Sequence, residues 1–243
     1  MSEQFFDINK LPAQEGILLF PISMSNISTS QSAQKCYEYM RIFSPSKISK
    51  PAVGLNFVYS DYLYFNSEKT ASELKKKFGQ LIISHKNEFL KILQKESAKS
   101  GMPKYIPKAF SFSVWNQLYL DAESFTNYLS EAKEIYSSDS GFKEAVQKDF
   151  QEYNKGQLDE NQVNFFLEEI VMTYLIQKGK VRLRNDFVED HEKWILYSYP
   201  GKPLNAKTYF FRKNFFKLKN PKNKFENGHY DLKEKCLYDM ARM

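Results

Sequence analysis

Apolar residues along this chain fall into two kinds of segment. Short runs rich in β-branched and aromatic residues are typical of strands, and they occur at 17–23, 55–60, 109–114 and 194–199. Longer segments with apolar residues at three- and four-residue spacings predict helices at roughly 30–41, 69–98, 121–137, 141–154 and 159–178. Strands that alternate with helices favour an α/β fold with a mostly parallel sheet.

The chain of 243 residues is long enough to bury a core without disulfides or metals. We expect residues 1–14 to be a flexible N-terminal segment and residues 15–243 to form one domain. The two cysteines, Cys36 and Cys236, have neither a metal-site spacing nor a disulfide pattern, which suits a reducing compartment. The amino terminus has no basic segment followed by an apolar one, and no apolar run in the chain approaches the ~20 residues of a membrane span. We therefore expect a cytoplasmic protein.

The first apolar run ends in Ser23-Met24-Ser25-Asn26. A hydroxyl at this point would lie at the carboxyl end of a buried strand, where open α/β sheets bind their ligands. Ser23 could thus be the nucleophile of an acyl-transfer or hydrolytic enzyme, or these polar residues could simply cap the next helix. The Gly-x-Ser-x-Gly elbow of a serine hydrolase is absent, which argues against pairing Ser23 with His191 in a catalytic triad.

Charge adds a second hypothesis. The net charge is +6 and the isoelectric point is near 9.0, so an anionic partner such as nucleic acid is a reasonable expectation. Lysines occupy the polar surface of the long helix predicted at 69–98, where they could follow a phosphate backbone or form an ordinary solvated face. The ones we consider for binding are Lys75, Lys76, Lys77, Lys86, Lys91 and Lys95.

A second basic stretch, residues 202–224, contains no acidic residue and is interleaved with aromatic ones. The combination could bind RNA by phosphate contacts and stacking, or the aromatic residues could form the core face of a terminal helix. No glycine-rich phosphate loop and no dinucleotide fingerprint is present, and the acidic residues around His191 lack the spacing of a metal site. We expect neither a nucleotide cofactor nor a metal.

Taken in order, four motifs make the chain resemble the tRNA-dependent cyclodipeptide synthases. The fold of this family resembles the catalytic domain of class I tyrosyl- and tryptophanyl-tRNA synthetases, without the ATP site. The motifs span roughly residues 15–215, and they lie at 22–26, at 55–61 with the lysine-rich helix that follows, at 164–169 and at 196–200. The pair Tyr199-Pro200 is similar to the branch of the family that has Tyr-Pro in place of Tyr-His. The resemblance implies a single Rossmann-like domain.

The resemblance also implies roles for particular residues. Ser23 would carry the aminoacyl group, Glu169 would hold the substrate α-ammonium, Tyr199 would handle protons, and Asn26 would orient the reacting groups. The residues implied to contact substrate are Phe165, Pro200, Tyr197 and Pro21. Phe165 stands where many members have a tyrosine, and Pro21 replaces a usual glycine. Tyr197 and Tyr199 can both claim the role on the last strand, because residues two apart on a strand share a face.

The implied reaction joins two aminoacyl-tRNAs into a cyclic dipeptide, a 2,5-diketopiperazine, through aminoacyl- and dipeptidyl-enzyme esters on Ser23. The aminoacyl ester already stores the energy of the peptide bond, so neither ATP nor a metal is needed. The lysine-rich helix would bind the tRNA, aromatic pocket residues suggest apolar amino acids, and we expect a monomer. The alternative is a non-catalytic tRNA- or RNA-binding module built on the same synthetase-like fold.

Overall fold

A computed structural model describes residues 4–5, 16–40, 53–60, 68–100, 110–115, 122–153, 157–177, 194–217, 225 and 227–243. The strands are β1 (Gln4–Phe5), β2 (Gly16–Ile22), β3 (Val53–Tyr59), β4 (Phe110–Val114), β5 (Trp194–Tyr199), β6 (Gly228–Asp231) and β7 (Cys236–Asp239). The helices are α1 (Ala33–Met40), α2 (Glu68–Ser100), α3 (Ala122–Ser138), α4 (Ser140–Tyr153), α5 (Glu160–Gln177) and α6 (Asn205–Lys213).

The strands form one sheet in the order β1-β7-β6-β5-β2-β3-β4. Strands β6, β5, β2, β3 and β4 run parallel to one another, whereas β7 and β1 add an antiparallel edge. This confirms the predicted α/β fold with a mostly parallel, Rossmann-like sheet. From β2 the chain builds β3 and β4 on one side and then returns to place β5 on the other. A topological switch point therefore lies between β2 and β5, where open α/β sheets bind ligands at the carboxyl ends of the strands.

Strand β2 is a continuous apolar run because both of its faces are covered. Leu18, Phe20 and Ile22 belong to a core cluster shared with α1 and α2, while Ile17 and Leu19 belong to a second cluster shared with helices α3 to α6. Burial on two sides is what removes the alternation of apolar and polar residues from a central parallel strand.

The four predicted strands correspond to β2, β3, β4 and β5, and the five predicted helices correspond to α1 to α5. The short strands β1, β6 and β7 were not predicted. Gln4 and Phe5, from the segment expected to be flexible, pair with Leu237 and Cys236 of β7. The rest of residues 1–14 lies outside the described residues. None of the helices within the described ranges has the length and apolar character that crossing a membrane requires.

The aromatic residues of the second basic stretch form core. Phe210, Phe211 and Phe216 are buried, and Phe210 packs against Phe142 of α4 with ring centroids 5.2 Å apart. The interpretation as the core face of a helix is confirmed for Phe210 and Phe211, whereas Phe216 lies beyond the end of α6, and α6 is not terminal because β6 and β7 follow it. The hypothesis that they stack on RNA bases is wrong for these three, because their rings are covered by α4 and by the rest of the aromatic cluster.

Candidate functional site

A cavity of about 910 Å³ opens at the carboxyl ends of β2 and β5. Its position is the switch point of the sheet, and its volume is typical of sites for small ligands. The eight residues that the sequence suggested for catalysis or substrate contact all line it, although they come from three distant parts of the chain. They are Pro21, Ser23, Asn26, Phe165, Glu169, Tyr197, Tyr199 and Pro200.

Ser23 follows directly on β2 in a turn that reverses the chain. The Asn26 N–H donates to the Ser23 carbonyl at 3.0 Å, and the Ser23 and Ser25 hydroxyl oxygens lie 2.8 Å apart. Helix α1 begins ten residues after Ser23, and the Lys35 N–H donates to the Ser32 hydroxyl at 3.4 Å. Ser32 is therefore the N-cap of α1, and the alternative in which Ser23, Ser25 and Asn26 cap that helix is wrong.

The two tyrosines of β5 face the same cavity but have different neighbours. The Asn26 side-chain amide donates to the Tyr199 hydroxyl at 3.4 Å, so Tyr199 is joined to the turn that carries Ser23. Tyr197 lies deeper, where the Lys207 ammonium donates to its hydroxyl at 3.5 Å. Burial, together with the charge of Glu169, raises the pKa of Tyr197 well above its usual value. Tyr199 is thus the tyrosine on the Ser23 side of the cavity.

Glu169 forms an ion pair with Lys207, a residue of α6. The ammonium lies 2.7 Å from the Glu169 carboxylate and 4.5 Å from the centre of the Tyr197 ring. The exposed fraction is 1% for the Lys207 side chain and 18% for Glu169, so Glu169 is the partner that solvent in the cavity reaches. Lys207 belongs to the second basic stretch, for which RNA binding through phosphate contacts was one hypothesis. The hypothesis is wrong for Lys207, because its ammonium is buried against Glu169 and Tyr197.

A signal for the burial of Lys207 is present in the sequence. Phe210 and Phe211 follow it by three and four residues, which puts the lysine on the apolar face of α6. Asp149 of α4 then fixes the start of this helix. Its carboxylate accepts from the Asn205 and Ala206 backbone N–H groups at 2.8 and 2.7 Å. Burial raises the pKa of Asp149, and these hydrogen bonds act in the opposite direction. The partners lie more than 50 residues apart, so no local pattern predicts this contact.

Glu168, next to Glu169 in α5, has the opposite environment. It is buried and does not line the cavity, and its Oε2 atom has no hydrogen-bond partner among the described residues. Burial raises its pKa to about 7, an effect that the charge of Lys133 only partly offsets. The spacing of residues left open which of the two glutamates faces the site. In the structure it is Glu169.

His229 of β6 lines the cavity beside Lys207, and sequence reasoning missed it because β6 was not predicted. Its Nε2–H donates to the Gly201 carbonyl at 2.7 Å. Burial, with the nearby Lys207 charge, lowers the pKa of His229 to about 3, so the ring is neutral at physiological pH. Its Nδ1 atom is then an unprotonated acceptor, and it has no partner within the described part of the chain.

Solved structures similar to this one bear on the identity of the fold. A cyclodipeptide synthase from Fluoribacter dumoffii superimposes with a TM-score of 0.51 at 16% identity, covering 86% of each chain. The fold is similar to that of cyclodipeptide synthases. No family model matches the sequence, and no curated protein matches it either.

Two further solved structures align with TM-scores below 0.5. One is a Mycobacterium tuberculosis protein described as relating cyclodipeptide synthetases to type I tRNA synthetases, with 12% identity, a TM-score of 0.47 and coverage of 88% and 83%. The other is AlbC, a cyclodipeptide synthase from Streptomyces noursei, with 11% identity, a TM-score of 0.41 and coverage of 86% and 91%.

The lysines of α2 lie outside the cavity. Phe78, Phe89 and Leu93 are buried against the sheet, and the lysines project from the remaining surface of the helix. All six lysines considered for tRNA binding are exposed: Lys75, Lys76, Lys77, Lys86, Lys91 and Lys95. The structure therefore presents them to solvent on more than one side of a helix 33 residues long, and the Lys86 ammonium also lies 5.1 Å from the centre of the Phe112 ring of β4.

Metal ligands are not grouped in the part of the chain that the structure describes. No three His, Cys, Asp or Glu side chains come together there in a way that could hold an ion. His191 and the acidic residues around it lie outside the described residues.

Proposed function

We propose that this protein is a cyclodipeptide synthase of the Tyr-Pro branch, which uses two aminoacyl-tRNAs to make a cyclic dipeptide. The observation that carries the proposal is the convergence of Ser23, Glu169 and Tyr199 on one cavity at the switch point of a cyclodipeptide synthase fold. A hydroxyl, a carboxylate and a phenol at one site supply a nucleophile, an ammonium anchor and a proton carrier. We expect the protein to act as a monomer.

In the first step the Ser23 hydroxyl attacks the ester carbonyl of an aminoacyl-tRNA. The ester bond to the ribose breaks, the ribose oxygen leaves with the serine proton, and a new ester forms on Ser23. The exchange of one ester for another is close to balanced in energy, so the step requires neither ATP nor a metal. Tyr199 supports proton transfer from its place beside the turn that carries Ser23, to which Asn26 links it.

In the second step the amine of the Ser23-bound residue attacks the ester of a second aminoacyl-tRNA, which gives a dipeptidyl ester and releases tRNA. The new terminal amine then attacks the Ser23 ester, which closes the ring and frees the serine. Glu169 anchors an α-ammonium before its deprotonation, through a charge-assisted hydrogen bond. Its carboxylate is the partly exposed member of the pair with Lys207, so it is accessible from the cavity.

The lining of the cavity supports apolar amino acids as substrates. Trp115, Phe150, Phe165 and Phe166 contribute aromatic surface to it. Apolar side chains gain roughly 25 cal/mol for each Å² of surface that such a wall removes from water. Pro21 and Pro200 restrict the backbone at the two strand ends, and Phe165 offers a ring without a hydroxyl where a tyrosine is usual in the family.

The test is product formation in a bacterial host, with mass spectrometry of the culture medium for cyclic dipeptides. We expect product from the unchanged protein and none from Ser23→Ala. Ser28→Ala is the matched control, because Ser28 is exposed in the same turn and does not line the cavity. Full production by folded Ser23→Ala would overturn the role of Ser23.

A second candidate is a non-catalytic tRNA- or RNA-binding module, which the exposed lysines of α2 favour by themselves. The two functions differ in covalent chemistry. The enzyme should form a hydroxylamine-sensitive ester on Ser23 when it is mixed with labelled aminoacyl-tRNA. The binding module should retain tRNA in a salt-dependent manner and carry no label after denaturation.

A further inference from the structure

The backbone at the end of β2 lacks a strand partner on one side. The Ile22 carbonyl accepts from the Ser60 N–H at 2.9 Å, toward β3. Neighbouring residues of a parallel strand direct their hydrogen-bonding groups to opposite sides, so the Pro21 carbonyl and the Ser23 N–H face β5. Pairing between β2 and β5 ends at Leu19, however, because the two strands separate where the cavity opens.

The side chain of Gln31 occupies that gap. Its Nε2 donates to the Pro21 carbonyl at 2.7 Å, and its Oε1 accepts from the Ser23 N–H at 2.8 Å. A carbonyl can only accept and an N–H can only donate, so the orientation of the amide is unambiguous. A residue of a neighbouring parallel strand would make the same pair of bonds opposite Ile22. The Gln31 amide thus replaces one strand residue.

Gln31 is itself held from several directions, and none of its surface is exposed. Its N–H donates to the Asn26 carbonyl at 2.9 Å. Its carbonyl accepts from the His85 Nε2–H at 3.0 Å, which leaves His85 Nδ1 to accept from the Tyr59 hydroxyl at 3.0 Å. Burial lowers the pKa of His85, consistent with this neutral tautomer. The amide is therefore anchored through α2 to β3.

We propose that Gln31 is a positioning residue that holds Ser23 in the geometry for attack, an inference that rests on the proposed function. Ser23 follows Ile22, the last residue of β2. Without hydrogen bonds to a neighbouring strand, the backbone at this point would be free to change its orientation. The two hydrogen bonds of the Gln31 side chain fix the backbone on both sides of Ile22. They replace the two bonds that a neighbouring strand would otherwise make there. A displacement of about 1 Å in a reacting group can lower a rate by about 100-fold, so the loss of this clamp should reduce the reactivity of the serine.

The experiment measures transfer of label from aminoacyl-tRNA to Ser23 in a single turnover. Gln31→Met keeps the length of the side chain and removes both bonds. We expect its acylation rate at saturating tRNA to fall about 10- to 100-fold, with an unchanged half-saturating tRNA concentration. Gln34→Met is the matched control, because Gln34 is exposed in the same segment and its side chain hydrogen-bonds to the exposed Glu38 rather than to the turn that carries Ser23. It should acylate at the unchanged rate.

Gln31→Glu provides a second readout that also serves if Gln31→Met does not fold. A neutral glutamic acid can donate to Pro21 and accept from Ser23, whereas the carboxylate cannot donate. Relative to the unchanged protein, its acylation rate should therefore rise as the pH is lowered. A folded Gln31→Met that acylates at the unchanged rate, or a Gln31→Glu rate with no added pH dependence, would overturn the role of Gln31. Absence of label on the unchanged protein would instead overturn the proposed function.

Discussion

Lys207 is a charged residue in a place where charges are costly. Taking an ammonium out of water costs several kcal/mol, and the cost is offset only where the group is paired. Here the Glu169 carboxylate and the face of the Tyr197 ring both attract it. The two partners are unequal, because Glu169 can be hydrated from the cavity and Lys207 cannot. Removing one or the other should therefore have different consequences.

We predict that Glu169→Gln destabilises the fold by about 3 kcal/mol, since it leaves a buried ammonium without its counter-ion. Lys207→Met should cost less, because water can reach the remaining carboxylate. The double variant should be more stable than the sum of the single changes predicts. Urea unfolding of the four proteins measures this cycle. Additive losses would show that the two charges do not interact.

At the scale of the element, α5 directs adjacent carboxylates into different surroundings. A helix turns by about 100° per residue, so Glu169 reaches the cavity while Glu168 faces the packed interior. The α4–α6 contact acts in a similar way: Asp149 fixes the first turn of α6, and the helix then carries Lys207 to Glu169. Secondary structure thus determines which of several charged residues is available to the site.

The pKa of Glu168 predicts a pH dependence of stability. Its ordinary value is 4.5 and its folded value about 7, so between these limits the native protein keeps a proton that the unfolded chain releases. Stability should fall as the pH rises through this window, by about 3 kcal/mol in total. Glu168→Gln should remove the loss and be the more stable protein at pH 8.

Urea unfolding at pH 5 and pH 8 checks this expectation. Glu160→Gln is the control, an exposed glutamate of the same helix that should keep the original pH dependence. His229 acts in the opposite direction, since its lowered pKa makes the fold less stable as the pH falls below 6.5. That contribution is common to all three proteins and cancels in the comparison. An unchanged pH dependence in Glu168→Gln would contradict the prediction.

At the scale of the whole molecule, positive charge is divided between a solvated helix and a buried site. The exposed lysines of α2 would meet a polyanion, whereas Lys207 belongs to the interior. Net charge alone does not distinguish these roles. Contacts to phosphates release counterions, so binding through α2 should weaken steeply as salt increases.

We predict that changing Lys75, Lys76 and Lys77 together to Gln raises the half-saturating concentration of aminoacyl-tRNA. The slope of log affinity against log salt concentration should also become shallower, by up to about one unit for each phosphate contact that is lost. The ester already formed on Ser23 should be unaffected. The control changes Lys143, Lys148 and Lys235, which are exposed outside both basic stretches and alter the net charge equally. Equal effects of the two triple changes would assign the binding to overall charge rather than to α2.

The sequence by itself determined most of the secondary structure and the composition of the site. Each of the strands β2 to β5 and the helices α1 to α5 has a characteristic spacing of apolar residues within its own segment. These elements can therefore be predicted from the local sequence. Ser23, Glu169 and Tyr199 were identified through the resemblance of their motifs to a family. The four-residue strands β6 and β7 carry too little pattern to be recognised, because their partners rather than their own residues stabilise them.

Only the tertiary structure decided the environment of each polar group. Capping of α1 by Ser32, the pairing of Lys207 with Glu169, the burial of Glu168 and the clamp formed by Gln31 all depend on which element lies opposite. Hydrophobic periodicity indicates which side of a helix or strand is buried, but it does not identify the partner of any single polar group. The energy of a buried charge or amide depends instead on single partners that the fold brings from far along the chain.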